Sequence, residues 1–399
     1  MTDTTLALSP ARMMLFSATT GIMVANLYYI QPLLAEVSAS FHHTITEAGY
    51  LVTCTQLGYA LGVLFIVPLG DSLDQKKMIT MMLACNIVSL LIAAFSTQFF
   101  LFAFASLMMG ITSSAAQVVV PYVAARAPDA IRGRLVGQVM TGLLLGILLA
   151  RTVSGVLSAW AGWRWIYILA AITVTFLMVA LRLTMLADEP QKSMPYRVLL
   201  GSLVDLLKEE PELRLRAWYG LLGLGSFSML WTGLTFLLSA APYHFSAETI
   251  GLFGLIGAAG ALSANLAGRI CDRGYAQLMT ISLSAILLAA WCIMSFGQYS
   301  LFAVYIGIFF VDVGAQGLQV TNQTVIYKLA PQARSRITAI FITAGFIGMS
   351  LGSALASYFY DTKGWVGLCM VGAALPIFLI ISWGSHQLYR SKNRMIIKP

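Results

Sequence analysis

The sequence predicts an all-α membrane protein with twelve transmembrane helices in two homologous six-helix bundles. Three observations predict it. Of the 399 residues, 59% are hydrophobic and 10% charged, whereas a soluble domain carries about 25% charged residues. The apolar residues form repeated runs of about 20, the length of a helical bilayer crossing, and the mean hydropathy is +0.82. Finally, many positions recur at an offset of 202 residues, close to half the chain. A β-barrel would show short alternating segments instead.

Taken in order, the spans cover roughly 13–36, 48–69, 78–96, 99–124, 135–158, 165–186, 217–240, 248–270, 277–297, 300–327, 337–358 and 364–386. Residues 1–12 read as a short polar tail, with no cleavable signal ahead of span 1. Lys and Arg set the orientation. Even-numbered loops and both tails hold Arg12, Lys76, Lys77, Arg126, Arg132, Arg134, Lys192, Arg197, Lys208, Arg214, Arg216, Arg269, Arg273, Lys328, Arg334, Arg336 and the Arg390 to Lys398 cluster. Odd-numbered loops hold only Arg164 and Lys363. The positive-inside rule therefore places both termini in the cytoplasm, for a multi-pass protein expected in the cell membrane, a bacterial inner membrane. This clustering also explains the net charge of +8 without nucleic acid as a partner.

The offset is carried by particular residues. Arg134, Gly146, Gly162 and Trp163 return as Arg336, Gly348, Gly364 and Trp365, and His42, Gly49 and Gly58 as His244, Gly251 and Gly260. Two six-helix halves follow, residues 1–186 and 217–399. Residues 187–216 join them as a cytoplasmic linker. In it Val198, Leu199, Leu203, Leu206 and Leu207 mark an amphipathic helix expected on the membrane surface.

Span 10 is the unusual one. It carries Asp312, Gln316, Gln319 and Gln323, spaced four, three and four apart and so within about 60° of one another on a helix. Tyr305 joins the same stripe. A carboxylate at the bilayer centre costs about 3 kcal/mol on insertion scales, so the stripe is expected to face water, a polar cargo or other helices. The five cysteines, Cys54, Cys85, Cys271, Cys292 and Cys369, have neither metal-ligand nor disulfide-framework spacing and read as small packing residues. No metal site, ATP-binding loop or nucleophile motif is present, so neither a cofactor nor an enzymatic activity is expected.

Over essentially its full length the chain resembles the major facilitator superfamily. The hairpin PLGDSLDQKK resembles the family's motif A through Asp71, Lys76 and Lys77, with Val67, Ser72, Asp74 and Gln75 departing from it. The second copy, GRICDRG, matches at Gly268, Asp272, Arg273 and Gly274. The resemblance implies that these residues latch the two halves on the cytoplasmic side through charge-assisted hydrogen bonds; ordinary turn chemistry is the alternative. Span 5 resembles motif C of the antiporter branch at Gly142, Gly146 and Gly155, whose small side chains let helices approach closely. The family's Gly-Pro step is Ala150-Arg151 here. In span 4, Gly110 matches motif B, but the motif's arginine position is Ser106, so coupling through that arginine is not available. Other stretches look like the drug and metabolite exporters of the superfamily.

Asp312 and Arg151 are the two ionisable side chains expected deep within spans, and neither has a charged counterpart at the 202-residue offset. An acid that moves between dry and wet surroundings exchanges protons, so Asp312 is the candidate coupling site. Arg151 is read as its counter-charge or as a binder of an anionic cargo group. A permanent structural pair between spans 5 and 10 is the alternative for both. The resemblance implies that spans 1, 4, 7 and 10 line a central cavity. Its candidate residues are Asn26, Tyr29, Ser113, Gln117, Trp231, Thr232, Tyr305, Gln316, Gln319 and Gln323; taken alone such a residue is more often an interhelical hydrogen bond than a ligand, and it is as a convergent set that they suit a mixed polar and aromatic cavity.

The expected function is proton-coupled efflux of a small organic compound (drug, sugar or metabolite) by alternating access, with a monomer as the working unit. An uncoupled facilitator or importer of a small metabolite is the alternative on the same fold. A non-transporting receptor built on a transporter scaffold is the alternative from another class.

Overall fold

A computed structural model of the chain describes residues 9–71, 73–128, 131–186, 195–262, 264–329 and 333–396. Among these the secondary structure is helical, as lipid requires of a chain that must satisfy its own backbone groups. Several spans are single helices: Gln75–Phe95 for span 3, Arg132–Ala161 for span 5, Arg164–Thr184 for span 6 and Leu301–Ile326 for span 10. Others are broken. Span 1 is Pro10–Ala25 and Ile30–Phe41, which meet at 45°. Span 4 is Phe99–Ser113 and Ala116–Arg126, and span 8 is Ala247–Leu252 and Gly254–Leu262, with Ala264–Asp272 following residue 263, which lies outside the described residues. Spans 11 and 12 lie within Arg334–Ile396, divided at Gly364, whose φ of 63° is outside the helical range. Of the linker, residues 195–209 are described, and the helix Tyr196–Glu209 buries Leu199 and Leu203; residues 187–194 lie outside the described residues.

Local chemistry accounts for the helix starts. Thr44 Oγ1 accepts from the Glu47 amide at 3.1 Å while the Glu47 carboxylate accepts from the Thr44 amide at 2.8 Å, a reciprocal cap on span 2. Ser246, its counterpart 202 residues on, accepts from the Thr249 amide at 3.3 Å at the head of span 8. The outward faces are apolar: Phe176 is 73% and Leu183 80% exposed on span 6, side chains that lipid accommodates and water would not.

The chain divides into two compact units, Met1–Glu209 with Thr235–Leu255, and Glu210–Leu234 with Ile256–Pro399. Within the first, span 5 packs on span 1 and span 2 on span 4; within the second, spans 8 and 9 pack on span 10. Glycine makes these crossings possible. Gly142 faces the Ser17 carbonyl, Gly146 the Gly21 carbonyl and Gly58 the Leu107 carbonyl, each too close for a Cβ. In the second unit Gly348 faces the Leu221 carbonyl, Gly352 that of Gly225, and Gly260 that of Phe309. Gly58–Leu107 and Gly260–Phe309 are the same crossing 202 residues apart. Where no hydrophobic force drives helices together, such backbone approach supplies the packing.

The repeat is also written in the backbone. His42 and His244 both take left-handed conformations, at φ 57° and 49°, and Gly162 and Gly364 share positive φ at 87° and 63°. Trp163 and Trp365, beside those glycines, each donate an indole N–H inward, to Ser40 Oγ at 2.9 Å and to the Met294 carbonyl at 2.7 Å.

Gly146→Leu should therefore destabilise the protein by about 1–3 kcal/mol, since neither backbone can yield without separating the helices. Gly133→Ala, with open space around it, should stabilise helix 132–161 by up to about 1 kcal/mol. Thermal unfolding of the detergent-purified variants checks both; equal melting of the two variants would show that the crossing is not tight.

Candidate functional site

The crossing of spans 8 and 10 holds Asp312. Its counterpart in the first half is Gly110, which packs against the Thr55 carbonyl. In the second half the large and small positions are exchanged: Asp312 stands where the glycine was, and Gly257 stands at the counterpart of Thr55. A Cβ on Gly257 would come 2.6 Å from the Trp231 ring and 3.1 Å from the Asp312 carboxylate, and one on Gly260 would come 2.9 Å from the Asp312 Cβ. Two glycines one turn apart thus make the space that a carboxyl group and an indole share. Asp312 is 3% exposed. The rest of the stripe emerges from it: Gln316, Gln319 and Gln323 are half-buried and Tyr305 is exposed.

Span 7 faces the same region with Trp231 and Thr232, both buried. The Thr232 hydroxyl lies 3.1 Å from that of Ser353 on span 11. Ser353 is the counterpart of Arg151, so the two halves make the same helix crossing with different chemistry. In the first, Arg151 on span 5 is 3% exposed and donates from Nε to Gln31 Oε1 on span 1 at 2.6 Å. Its guanidinium carbon lies 4.8 Å from the Tyr28 ring centre. The outer end of this layer is tied by Thr152 Oγ1 donating to the Gly251 carbonyl at 3.0 Å and by Thr235 Oγ1 donating to the Gln31 carbonyl at 2.8 Å. Gly155 packs against the Ala247 carbonyl. Two turns beyond Arg151, Ser158 donates to the Glu36 carboxylate.

The remaining cavity candidates of the first unit divide. Asn26 donates to Asn86 Oδ1 at 2.9 Å, and Asn86 Nδ2 lies within hydrogen-bond distance of Thr112 Oγ1 at 2.8 Å and of Ser113 Oγ at 3.4 Å. Asn26 and Ser113 are thereby joined in one buried network that pins spans 1, 3 and 4. Gln117 donates to Tyr59 Oη on span 2 at 2.9 Å. Tyr29 is buried at the break of span 1.

Arg216 was expected in a loop, but helix Pro211–Ser239 begins before it and the side chain is fully buried. It donates to Glu212 at 2.9 Å, to Thr280 Oγ1 at 2.9 Å and to Asn322 Oδ1 at 3.3 Å, clamping spans 7, 9 and 10 at one end of the second unit. The i,i+4 pairing of Glu212 with Arg216 was the signal for it. Gln31 was missed as well; an amide directly before Pro32 reads as a span break rather than a site.

Of the motif A residues, Lys76 donates to the Met185 carbonyl at 2.7 Å and Lys77 is exposed; the side chain of Asp71 lies outside the described residues. In the second copy Gly268 packs near Val320, Asp272 and Arg273 are exposed, and Gly274 turns the chain at φ 93°. No cluster of three His, Cys, Asp or Glu side chains exists among the described residues to hold a metal.

With Arg216 replaced by Leu, Glu212 loses its cation and Thr280 and Asn322 lose a donor. Removing one partner of a buried pair should cost about 3 kcal/mol. Denaturant or thermal unfolding measures this; an unchanged transition would mean that the cluster is energetically idle.

Comparison with known proteins bears on the family and the fold. Residues 15–353 match the family profile described as Major Facilitator Superfamily. The uncharacterized transporter YgaY of Escherichia coli is 40% identical over 97% of this chain and 99% of its own length. A Streptomyces coelicolor protein named Probable transporter SCO4007 is 32% identical over 92% of this chain and 85% of its own. Among solved structures, the nucleoside transporter NupG matches in fold with a TM-score of 0.75 at 13% identity, over 94% of this chain and 99% of that one.

Proposed function

The chain belongs to the major facilitator superfamily, and from that premise we propose that it is a proton-coupled exporter of a small organic compound. It is a multi-pass membrane transporter and not an enzyme. What the premise leaves open is the driving force, the direction and the cargo. The reading here is antiport by alternating access, with both termini in the cytoplasm and Asp312 as the proton carrier.

One observation carries the proposal: the chain keeps a 3% exposed carboxyl group at a helix crossing whose counterpart in the other half is Gly110. Placing an acid there costs about 3 kcal/mol on insertion scales. A titratable group whose surroundings change as the halves rock gives that cost a function, because its proton affinity follows its hydration. Trp231, Thr232, Gln316, Gln319 and Gln323 supply the mixed aromatic and amide surface that a small organic cargo needs. Asp71, Lys76 and Lys77, with Gly268, Asp272, Arg273 and Gly274, are assigned to the cytoplasmic latch that alternates with it.

An untargeted comparison of compounds retained by cells lacking or overproducing the protein identifies the cargo. In proteoliposomes, an imposed pH difference should then drive its flux. Asp312→Asn should abolish driven flux and leave counterflow within about threefold, since binding free energy then changes by less than 1 kcal/mol. Flux indifferent to the gradient in the wild type would make the protein a facilitator. Driven flux surviving in Asp312→Asn would move the proton site elsewhere.

A further inference from the structure

Arg216 does more than clamp three spans. With Glu212, Gln277 and Lys328 it lines a cleft of about 320 Å³ in the second unit, at the end assigned above to the cytoplasm. Ligand sites begin at about 300 Å³. Its Nε and Nη1 donate within the protein, but Nη2 meets no acceptor among the described residues, although the side chain is fully buried. A buried guanidinium nitrogen in that state is costly and marks where an acceptor belongs. Gln277 gives the same sign. Its Oε1 accepts from Trp383 Nε1 and from Gln387 Nε2, both at 2.9 Å, so Nε2 is the group that it can offer a guest. Glu212 offsets one of the two cations, Arg216 and Lys328, and a positive charge remains among these lining residues.

The helix of span 9, Ala276–Met294, meets the same cleft with its first two residues. The first amides of a helix have no partner within it, and here no side chain caps them, Tyr275 holding the N-cap position without a hydrogen bond. The first half meets the same need internally. At the start of helix Gln75–Phe95 the N-cap is Asp74, whose carboxylate accepts from the Lys76 amide at 3.0 Å. Asp74 precedes Tyr275 by 201 residues, the offset that also relates Asp71 to Asp272. Arg216 and Asn322, in turn, stand where the first half has Met14 and Val120. One half carries an acid at this helix start and no arginine; the other carries the arginine and no acid.

We propose that this cleft binds a phosphate group, supplied by a lipid headgroup or by a soluble phosphate. Donors come from three sides: Arg216 at the buried floor, the start of span 9 with Gln277 at the wall, and the exposed Lys328 at the rim. A carboxylate offers two oxygens in one plane, whereas those of a phosphate point to several sides. A helix N-terminus beside a guanidinium suits that anion. Because Arg216 ties spans 7, 9 and 10, a guest here steadies the second unit and takes no part in the passage of cargo.

The test follows thermal unfolding of the full-length protein in detergent at constant pH and ionic strength. The probes are inorganic phosphate and dihexanoyl phosphatidate, with dihexanoylglycerol as the control that lacks phosphate. At least one of the two phosphates should raise the melting temperature saturably, and the control should not. A response to phosphatidate alone assigns the site to a lipid headgroup; a response to inorganic phosphate assigns it to a soluble one. Tyr275→Asp, which places at this helix start the carboxylate that Asp74 supplies in the first half, should weaken binding about tenfold. Lys328→Ala should weaken it about threefold, as suits an exposed charge. Both substitutions leave the Arg216 cluster in place, so neither threatens folding. No saturable response to either phosphate, an equal response to dihexanoylglycerol, or undiminished binding in Tyr275→Asp would each overturn the proposal. The readout needs no gradient, so a failure here leaves the coupling scheme standing, and gradient-independent flux leaves this site standing.

Discussion

The constraint on which the molecule depends is the close approach of helix backbones in an apolar medium. Lipid offers helices no hydrophobic reason to associate, so contact area between small residues must hold them. Gly58 on the Leu107 carbonyl, Gly146 on that of Gly21 and Gly260 on that of Phe309 are the points at which this happens. Asp312 is the polar side chain placed most plainly by reference to such a crossing.

It occupies the position of the Gly110 crossing in the other half, and the void it needs is returned by Gly257 and Gly260 on the facing helix. The pair Arg151 and Gln31 occupies the crossing that Ser353 and Thr232 fill with plain hydroxyls. The repeat thus separates scaffold from chemistry. Where the halves agree, as at Trp163 and Trp365 or Gly162 and Gly364, the residues shape turns and anchor helix ends. Where they differ, the first half carries the buried Arg151 and the second the buried Asp312, and the transport cycle is assigned to those two departures.

Much of this was legible in the sequence. The apolar runs placed the spans, and the 202-residue offset exposed the duplication because it is carried by glycines and tryptophans whose backbone or volume cannot be exchanged cheaply. Asp312 and Arg151 stood out because charge inside an oily run has few innocent explanations. Their surroundings did not stand out. Gly257 is an ordinary glycine until its Cβ is seen to collide with an indole, and Gln31 is an ordinary amide until one end is found engaged and the other idle. Arg216 was misplaced because a positive residue near a span end is counted as a loop charge, whereas Pro211 starts the helix early and Glu212 draws the arginine inward. The 45° break in span 1 leaves little trace in hydrophobic periodicity. Asn26 and Ser113, grouped by their polarity alone with the cavity, turn out to share a hydrogen-bond network through Asn86.

The central claim is that the carboxyl group of Asp312 takes up and releases a proton. Infrared difference spectroscopy on the reconstituted protein reads this directly, through the C=O stretch that only a protonated carboxyl shows. Stepping the pH should produce such a band in the wild type, absent from Asp312→Asn and altered in its pH dependence when cargo is added. A spectrum with no Asp312-dependent band anywhere across the pH range in which transport operates would contradict the account.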